Sequence, residues 1–217
     1  MTQPVPALPN HHPVEGPSLR GRLRRNLGAF RPRDAEDLTL VQAAVVVLIL
    51  AGPGEPPWFP ICLRPRRLRS HAGQLALPGG RVEAGEDHTA AALRELEEEL
   101  SVRARPEEVL GRLDDFPTRS GFAVRPLVVW GGKAGELVPS PDEVDRVFPV
   151  PVSVLERTGG VRFLPEVGGG APTVQIRLDF AVVHAPTAAI LFQFREVALH
   201  GREARVAHFA QPPFTWR

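Results

Sequence analysis

The residues with the most explicit chemistry run from Gly80 to Val102, GRVEAGEDHTAAALRELEEELSV. Glu86 follows the glycine, and Arg94, Glu95, Glu98 and Glu99 cluster after it. Each residue of an α-helix turns the side chain by about 100°, so Glu95, Glu98 and Glu99 fall on one narrow face. Carboxylates crowded on one face repel each other unless a cation offsets the repulsion. Hard divalent ions take oxygen ligands and often bridge to substrate phosphates. The expected chemistry of this face is to hold Mg²⁺ or Mn²⁺ against a phosphorylated substrate; the alternative is an acidic face that is merely solvated.

A metal-holding face needs a docked helix beneath it. Leu93, Leu96 and Leu100 recur at i, i+3 and i+7, an apolar stripe that fixes the opposite face in place. Asp87 suits the N-cap, and the helix is expected to end near Leu100. Before it, Leu77-Pro78-Gly79-Gly80 reads as a strand end entering a tight turn, where missing side chains let backbone approach an ion or phosphate. Residues 43–50 (AAVVVLIL) are a continuous aliphatic run of strand length, placed in the middle of a sheet. A turn at 52–57 and a second strand at 59–63 follow. Further strands are expected at 75–77, 109–114, 124–130, 146–149 and 173–180, with helices at 152–156 and 187–199. Strands mixed with a few helices, without regular βαβ alternation, predict the α+β class, a mixed β-sheet sandwiched between α-helices.

The pattern G-x5-E-x7-R-E-U-x-E-E-x-G-U, with U aliphatic, is the signature of the Nudix hydrolases. The chain resembles it at Gly80, Glu86, Arg94, Glu95, Leu96, Glu98, Glu99 and Val102. The resemblance implies the Nudix fold, with Glu95, Glu98 and Glu99 as metal ligands and the Gly79 carbonyl as a further one. It also implies an ion pair between Glu86 and Arg94 that orients the carboxylates. Bound ions would neutralise phosphate charge, polarise the P–O bond and lower the pKa of an attacking water. Ser101 departs from the pattern, which has glycine there. Glycine at this point closes a helix in the left-handed conformation that a side chain disfavours, so the helix is expected to end without a left-handed residue at Ser101.

The preceding loop, Leu68-Arg69-Ser70-His71-Ala72-Gly73-Gln74 followed by Pro78-Gly79-Gly80, is similar to the L-R-x-H-x-G-Q…P-G-G stretch of the coenzyme A pyrophosphatase subgroup. Arg64 fits the arginine of that subgroup's longer motif. The implied substrate contacts are Arg64, Arg69, His71 and Gln74. Arginine's planar fork binds phosphate oxygens in pairs, which suits a substrate with a diphosphate and a further phosphate. Arg66 and Arg67 read equally as phosphate contacts or as exposed loop charges, and His71 as functional or structural. Downstream, the stretch from Gly111 to Leu127 is similar to the subgroup's L-D-D…G-F-x-V-x-P, and Pro141-Asp142-Glu143-Val144 to its P-x-E-V loop. By that resemblance Glu143 is a candidate ligand or general base; its alternative is an exposed carboxylate. Val182-Val183-His184-Ala185-Pro186-Thr187-Ala188-Ala189 stands where the subgroup has W-G-x-T-A and lacks the tryptophan and glycine.

The implied reaction is metal-dependent hydrolysis of coenzyme A or an acyl-coenzyme A to adenosine 3′,5′-bisphosphate and (acyl-)4′-phosphopantetheine. The alternatives are an ADP-ribose or other dinucleotide pyrophosphatase, and a Nudix module that senses nucleotides without cleaving them. Sensors of that kind normally lose signature carboxylates, which this chain retains.

Composition narrows the partners. A net charge of +1 over 217 residues argues against a general electrostatic grip on nucleic acid or acidic membrane. The partner expected is a small nucleoside diphosphate of the coenzyme A class, with a homodimer as the candidate assembly. Cys62 is the only cysteine, which excludes an internal disulfide and fits a cytoplasmic protein. The longest apolar run, 43–51, is far short of the about 20 residues of a membrane helix, and no secretory signal is evident. Lys133 is the only lysine among 26 basic residues, and tyrosine is absent; neither fact implies a function. Residues 1–16 read as a flexible leader. Ser18 could cap a short basic helix through Leu27, with Leu19, Leu23 and Leu27 on one side, packed on the domain rather than binding a partner. The expected organisation is an N-terminal extension at 1–37, a Nudix domain at 38–200 and a tail at 201–217.

Overall fold

The computed structural model of the chain describes residues 18–67, 72–133, 135–165 and 171–212. Its centre is β1 (Val41–Leu50), buried on both faces as its unbroken aliphatic run requires. Side chains alternate across a strand, so Ala44, Val46, Leu48 and Leu50 share one core layer with Ala91, Ala92, Leu96 and Leu100 of the acidic helix. Ala43, Val47 and Ile49 face the opposite layer, with Leu23, Leu27, Ala188, Ala189 and Leu191. The helices are α1 (Leu19–Ala29), α2 (His88–Leu100) and α3 (Thr187–Gln193). With α2 on one face and α1 and α3 on the other, the mixed sheet sits between helices, as expected.

Around β1 the strands are β2 (Trp58–Leu63), β3 (Leu75–Ala76), β4 (Gly79–Arg81), β5 (Val109–Arg112), β6 (Phe116–Pro117), β7 (Phe122–Gly132) and β8 (Arg146–Pro151). β1 runs parallel to β7 from Val41↔Phe122 to Leu50↔Gly132. It meets β2 only at Leu50↔Trp58, so the two strands splay, and β4 takes the vacated edge against Ala43, Ala44 and Val45. That splay carries the Gly79-Gly80 backbone to the middle of the molecule. β2 pairs on with β3 and β8, and β7 with β5 and β6, all antiparallel. A second, antiparallel sheet consists of β9 (Val161–Leu164), β10 (Thr173–Arg177) and β11 (Val182–His184).

The short strands β4, β6, β9 and β11 were not expected, and the segment at 182–184 extends as a strand before the helix begins at Thr187. That helix is α-helical only to Gln193 and then widens into a π-helical stretch, Phe194–Leu199. The expected helix at 152–156 is a 3₁₀ turn. Ser18 caps α1 by accepting from the Gly21 amide at 3.3 Å. The core runs continuously into both flanking segments, since Leu23 and Val206 are each 0% exposed.

Two buried carboxylates, Asp114 and Asp115, fasten those flanks. Asp114 accepts from the Arg33 amide at 2.8 Å, from Arg205 at 2.7 Å and from Gln193 at 2.7 Å. Asp115 accepts from the Ala35 amide at 3.1 Å and from Arg125 twice at 2.8 Å. Burying a carboxylate is unfavourable unless it is paired and hydrogen-bonded, and both are.

Asp87 caps α2 by accepting from the Ala90 amide at 2.8 Å. At the other end the expectation for Ser101 fails: it adopts φ 57°, ψ 30°, the left-handed conformation. The compensation lies in its hydrogen bonds. Its amide reaches Glu97 O at 3.0 Å, the Val102 amide reaches Leu96 O at 3.1 Å, and the Ser101 hydroxyl donates to Val138 O at 3.1 Å. The left-handed conformation costs a non-glycine residue roughly 1–2 kcal/mol, slightly more than the about 1 kcal/mol of a typical hydrogen bond. Ser101→Gly should therefore raise the thermal midpoint modestly. Ser101→Ala, which keeps the strain and loses the bond, should lower it. A glycine variant no more stable than the alanine variant would show that the strain is negligible.

Candidate active site

Three segments converge over the acidic face of α2. The first is the 79–81 backbone. The Gly79 amide donates to Glu99 Oε2 at 3.1 Å, and Gly79 sits at φ 146° with no room for a side chain, since a Cβ would lie 2.2 Å from Ala44 O. A Cβ on Gly80 would lie 2.1 Å from Glu95 Oε1, so glycine there makes space for the glutamate. The second segment is the chain after α2. The Val138 and Ser140 amides donate to the helix-terminal carbonyls of Leu100 and Glu99 at 3.1 and 2.9 Å, and Ser140 O accepts from the Glu143 and Val144 amides. This satisfies carbonyls that a helix end otherwise leaves open and swings Glu143 back over the helix.

The result is that Glu95, Glu99 and Glu143 each place a carboxylate oxygen within 4.8 Å of the other two. Glu143 Oε2 is buried and has no hydrogen-bond partner among the described residues. Burial pushes the Glu99 carboxyl up to about 8; the Gly79 amide and Arg64 oppose this, while Glu95 and Glu143 add to it. Burial likewise raises Glu95. Crowded, desolvated carboxylates with an open oxygen fit a divalent cation, which would be held by Glu95, Glu99 and Glu143 and would supply the charge that offsets their repulsion.

Glu98 is not brought into that group. It is half exposed and pairs with Arg94 at 2.8 Å. Arg94 is the organiser of the helix start. It donates to Glu86 from Nη2 at 2.8 Å and Nε at 3.3 Å, to Glu95 from Nη1 at 2.9 Å and to the Arg81 carbonyl at 3.0 Å. The Arg94 hydrogen bonds hold Glu86 below the usual carboxylate range, with help from the Glu83 amide. The Glu86–Arg94 pair expected from the sequence is thus present.

The third segment is the loop after β2. Its root is closed by the Arg64 amide donating to Gln74 O at 2.9 Å and the Gly73 amide to Arg64 O at 3.1 Å. The Arg64 guanidinium lies 3.7 Å from Glu99 Oε1, on the same side of the sheet as the carboxylates. Arg67 is not a free loop charge, since it bonds Pro141 O and Asp142 and ties this loop to the Glu143 segment. Arg69 and His71 lie outside the described residues. Sequence reasoning missed the steric role of Gly80, the Arg81 carbonyl and the Arg67 tie. The first was legible in the double glycine, and the others join residues too far apart in the chain to be paired from sequence.

Residues 40–167 match the family model described as the NUDIX domain. The chain belongs to the Nudix family. It is 38% identical over 140 residues to an uncharacterized Nudix hydrolase NudL of Citrobacter koseri, covering 60% of this chain and 68% of that protein. It is also 38% identical over 112 residues to the NudL of Photorhabdus laumondii, covering 51% and 59%. Among solved structures it is similar to a MutT/nudix family protein from Enterococcus faecalis, at 22% identity and TM-score 0.45, covering 77% and 62%. Its relatives are named Nudix hydrolases, which places the chain among hydrolases of nucleoside diphosphate derivatives, a family that generally uses divalent metal ions. Among the described residues no helix is long and apolar enough to cross a membrane.

The raised Glu99 pKa has a consequence for stability. A carboxyl that binds its proton more tightly folded than unfolded imposes no penalty below its unfolded value near 4.5, and an increasing one up to about 8. Protein stripped of metal should therefore lose stability between those pH values, by at most roughly 1.4 kcal/mol per pH unit, with Glu95 acting in the same direction. The thermal midpoint in chelator should fall from about pH 6 to about pH 8.5, and saturating Mn²⁺ should reduce that fall. A midpoint that rises across this range in chelator would contradict the burial of Glu99 as a carboxylate.

Proposed function

We propose that this Nudix hydrolase cleaves the diphosphate of coenzyme A or an acyl-coenzyme A, releasing adenosine 3′,5′-bisphosphate and (acyl-)4′-phosphopantetheine. The convergence of Glu95, Glu99 and Glu143 beside Arg64 carries the reading: a carboxylate group fit for a cation has an arginine, a phosphate-binding side chain, next to it. Glu95, Glu99 and Glu143 are the proposed ligands of Mg²⁺ or Mn²⁺, with Glu98 and the Gly79 carbonyl as the further ligands that the resemblance implies; a bound ion would lower the pKa of a coordinated water and neutralise phosphate charge. Glu143 has two oxygens, of which Oε2 is unpartnered, and the one not given to the cation is the candidate to accept the proton of the attacking water as the P–O bond of the diphosphate breaks. Arg94 and Glu86 orient the carboxylates. Arg64, Arg69, His71 and Gln74 are the proposed substrate contacts, on the strength of the L-R-x-H-x-G-Q resemblance. The single cysteine fits a cytoplasmic setting.

The altered segment 182–189, which lacks the subgroup's tryptophan and glycine, favours a second reading: hydrolysis of ADP-ribose or another dinucleotide. The test is a screen of coenzyme A, acyl-coenzymes A, ADP-ribose and dinucleoside polyphosphates with Mg²⁺, with Mn²⁺ and with chelator, the released phosphates being identified. Metal-dependent release of adenosine 3′,5′-bisphosphate is expected. Binding of these compounds without cleavage of any of them would instead favour a sensing module.

A further inference from the structure

The two oxygens of Glu99 have different partners. Oε2 accepts the Gly79 amide at 3.1 Å, and that amide belongs to a backbone locked by pairing of β4 with β1. Oε1 faces Arg64 Nη1 at 3.7 Å. A cation that takes Glu99 meets a fixed backbone donor on one side and a movable side chain on the other. Like charges cannot share a half-buried site cheaply, so the movable one gives way.

Arg64 is built to move without leaving. Its amide and carbonyl are both hydrogen-bonded to the 73–74 backbone, which pins the Cα while the side chain swings. Its Nε is buried and has no acceptor among the described residues, so the present position leaves a donor unsatisfied, which costs free energy that a new position can recover. We propose that Arg64 is a tethered counter-ion of Glu99 that a divalent cation displaces, and that the displaced guanidinium then binds the substrate's phosphate. Metal loading and phosphate recognition are coupled through this one side chain. The inference rests on the reading that Glu95, Glu99 and Glu143 hold the cation.

The experiment is calorimetric titration of the full chain with Mn²⁺ at about pH 8.5, for wild type, Arg64→Gln and Arg64→Lys. Folding of each variant is checked by circular dichroism. Removing a positive charge that competes for the ligand should tighten Mn²⁺ binding by about tenfold, while Arg64→Lys, which keeps the charge, should bind as wild type does. Adenosine 5′-diphosphate in saturating Mn²⁺ should bind Arg64→Gln about tenfold more weakly, the loss of one charge-assisted phosphate contact. Opposite changes for metal and nucleotide are a signature that a merely structural arginine does not give. Mn²⁺ binding that is unchanged or weaker in folded Arg64→Gln overturns the proposal. Glu99→Gln in the same titration separates the two claims: if it loses the Mn²⁺ that wild type binds, the metal reading stands whatever Arg64 does. Failure of wild type to bind Mn²⁺ overturns both.

Discussion

Glu99→Gln should lower turnover by at least about a thousandfold (roughly 4 kcal/mol of barrier) and yet raise the thermal midpoint of the metal-stripped protein at about pH 8. Both effects come from the same burial. Glu99 is 3% exposed and its carboxyl is pushed up to about 8 chiefly by desolvation, so the metal-stripped fold is burdened by a charge that glutamine does not carry. The amide keeps the side chain's size and an oxygen for the Gly79 amide, so the 79–81 backbone stays in place. What it loses is the anionic ligand, and with it the cation on which hydrolysis depends. Glu98→Gln provides the contrast. As a signature carboxylate it should also lose turnover on substitution, but its side chain is half exposed and paired with Arg94, so no gain in stability is expected. Rates within about tenfold of wild type for both variants would remove the metal assignment, and a lower midpoint for Glu99→Gln would show that the buried charge is better compensated than its surroundings indicate.

The parts of this site that could be read from sequence are those fixed by local periodicity. α2 follows from Asp87, the Leu93–Leu96–Leu100 stripe and helical spacing, and β1 from an aliphatic run that only a doubly covered strand can bury. Glu143 was within reach only through resemblance to a family loop, because what brings it to Glu99 is a set of backbone bonds from 138–140 onto the helix end. Such bonds carry no side-chain signature. Ser101 was misread for a related reason: backbone strain was weighed alone, whereas its hydroxyl fastens that same 138–140 segment. Asp114 stands in the L-D-D stretch as one of two adjacent acids, and its partners Arg33, Gln193 and Arg205 stand about 80–90 positions away. The two-residue strand β6 is paired but too short for periodicity to announce it.

If the loop from Arg64 to Gln74 reads coenzyme A, removing the substrate's 3′-phosphate should lower kcat/KM by about ten- to a hundredfold. The estimate is one lost arginine–phosphate contact, worth roughly 1.5–3 kcal/mol for a charged hydrogen bond. Two groups of the sequence are candidates for that contact, Arg64 and Arg69. Arg64 sits beside the carboxylates, 3.7 Å from Glu99, which favours the diphosphate for it and leaves the 3′-phosphate to Arg69. The prediction then divides. Arg69→Ala should cost coenzyme A more than dephospho-coenzyme A, shrinking the ratio between them. Arg64→Ala should impair both about equally, because both keep the diphosphate. Kinetics of the two substrates on wild type and on each arginine variant decide the matter. Equal use of the two by wild type would mean that the 3′-phosphate is not read. ADP-ribose or another dinucleotide would then become the leading substrate, in keeping with the missing tryptophan and glycine before Thr187.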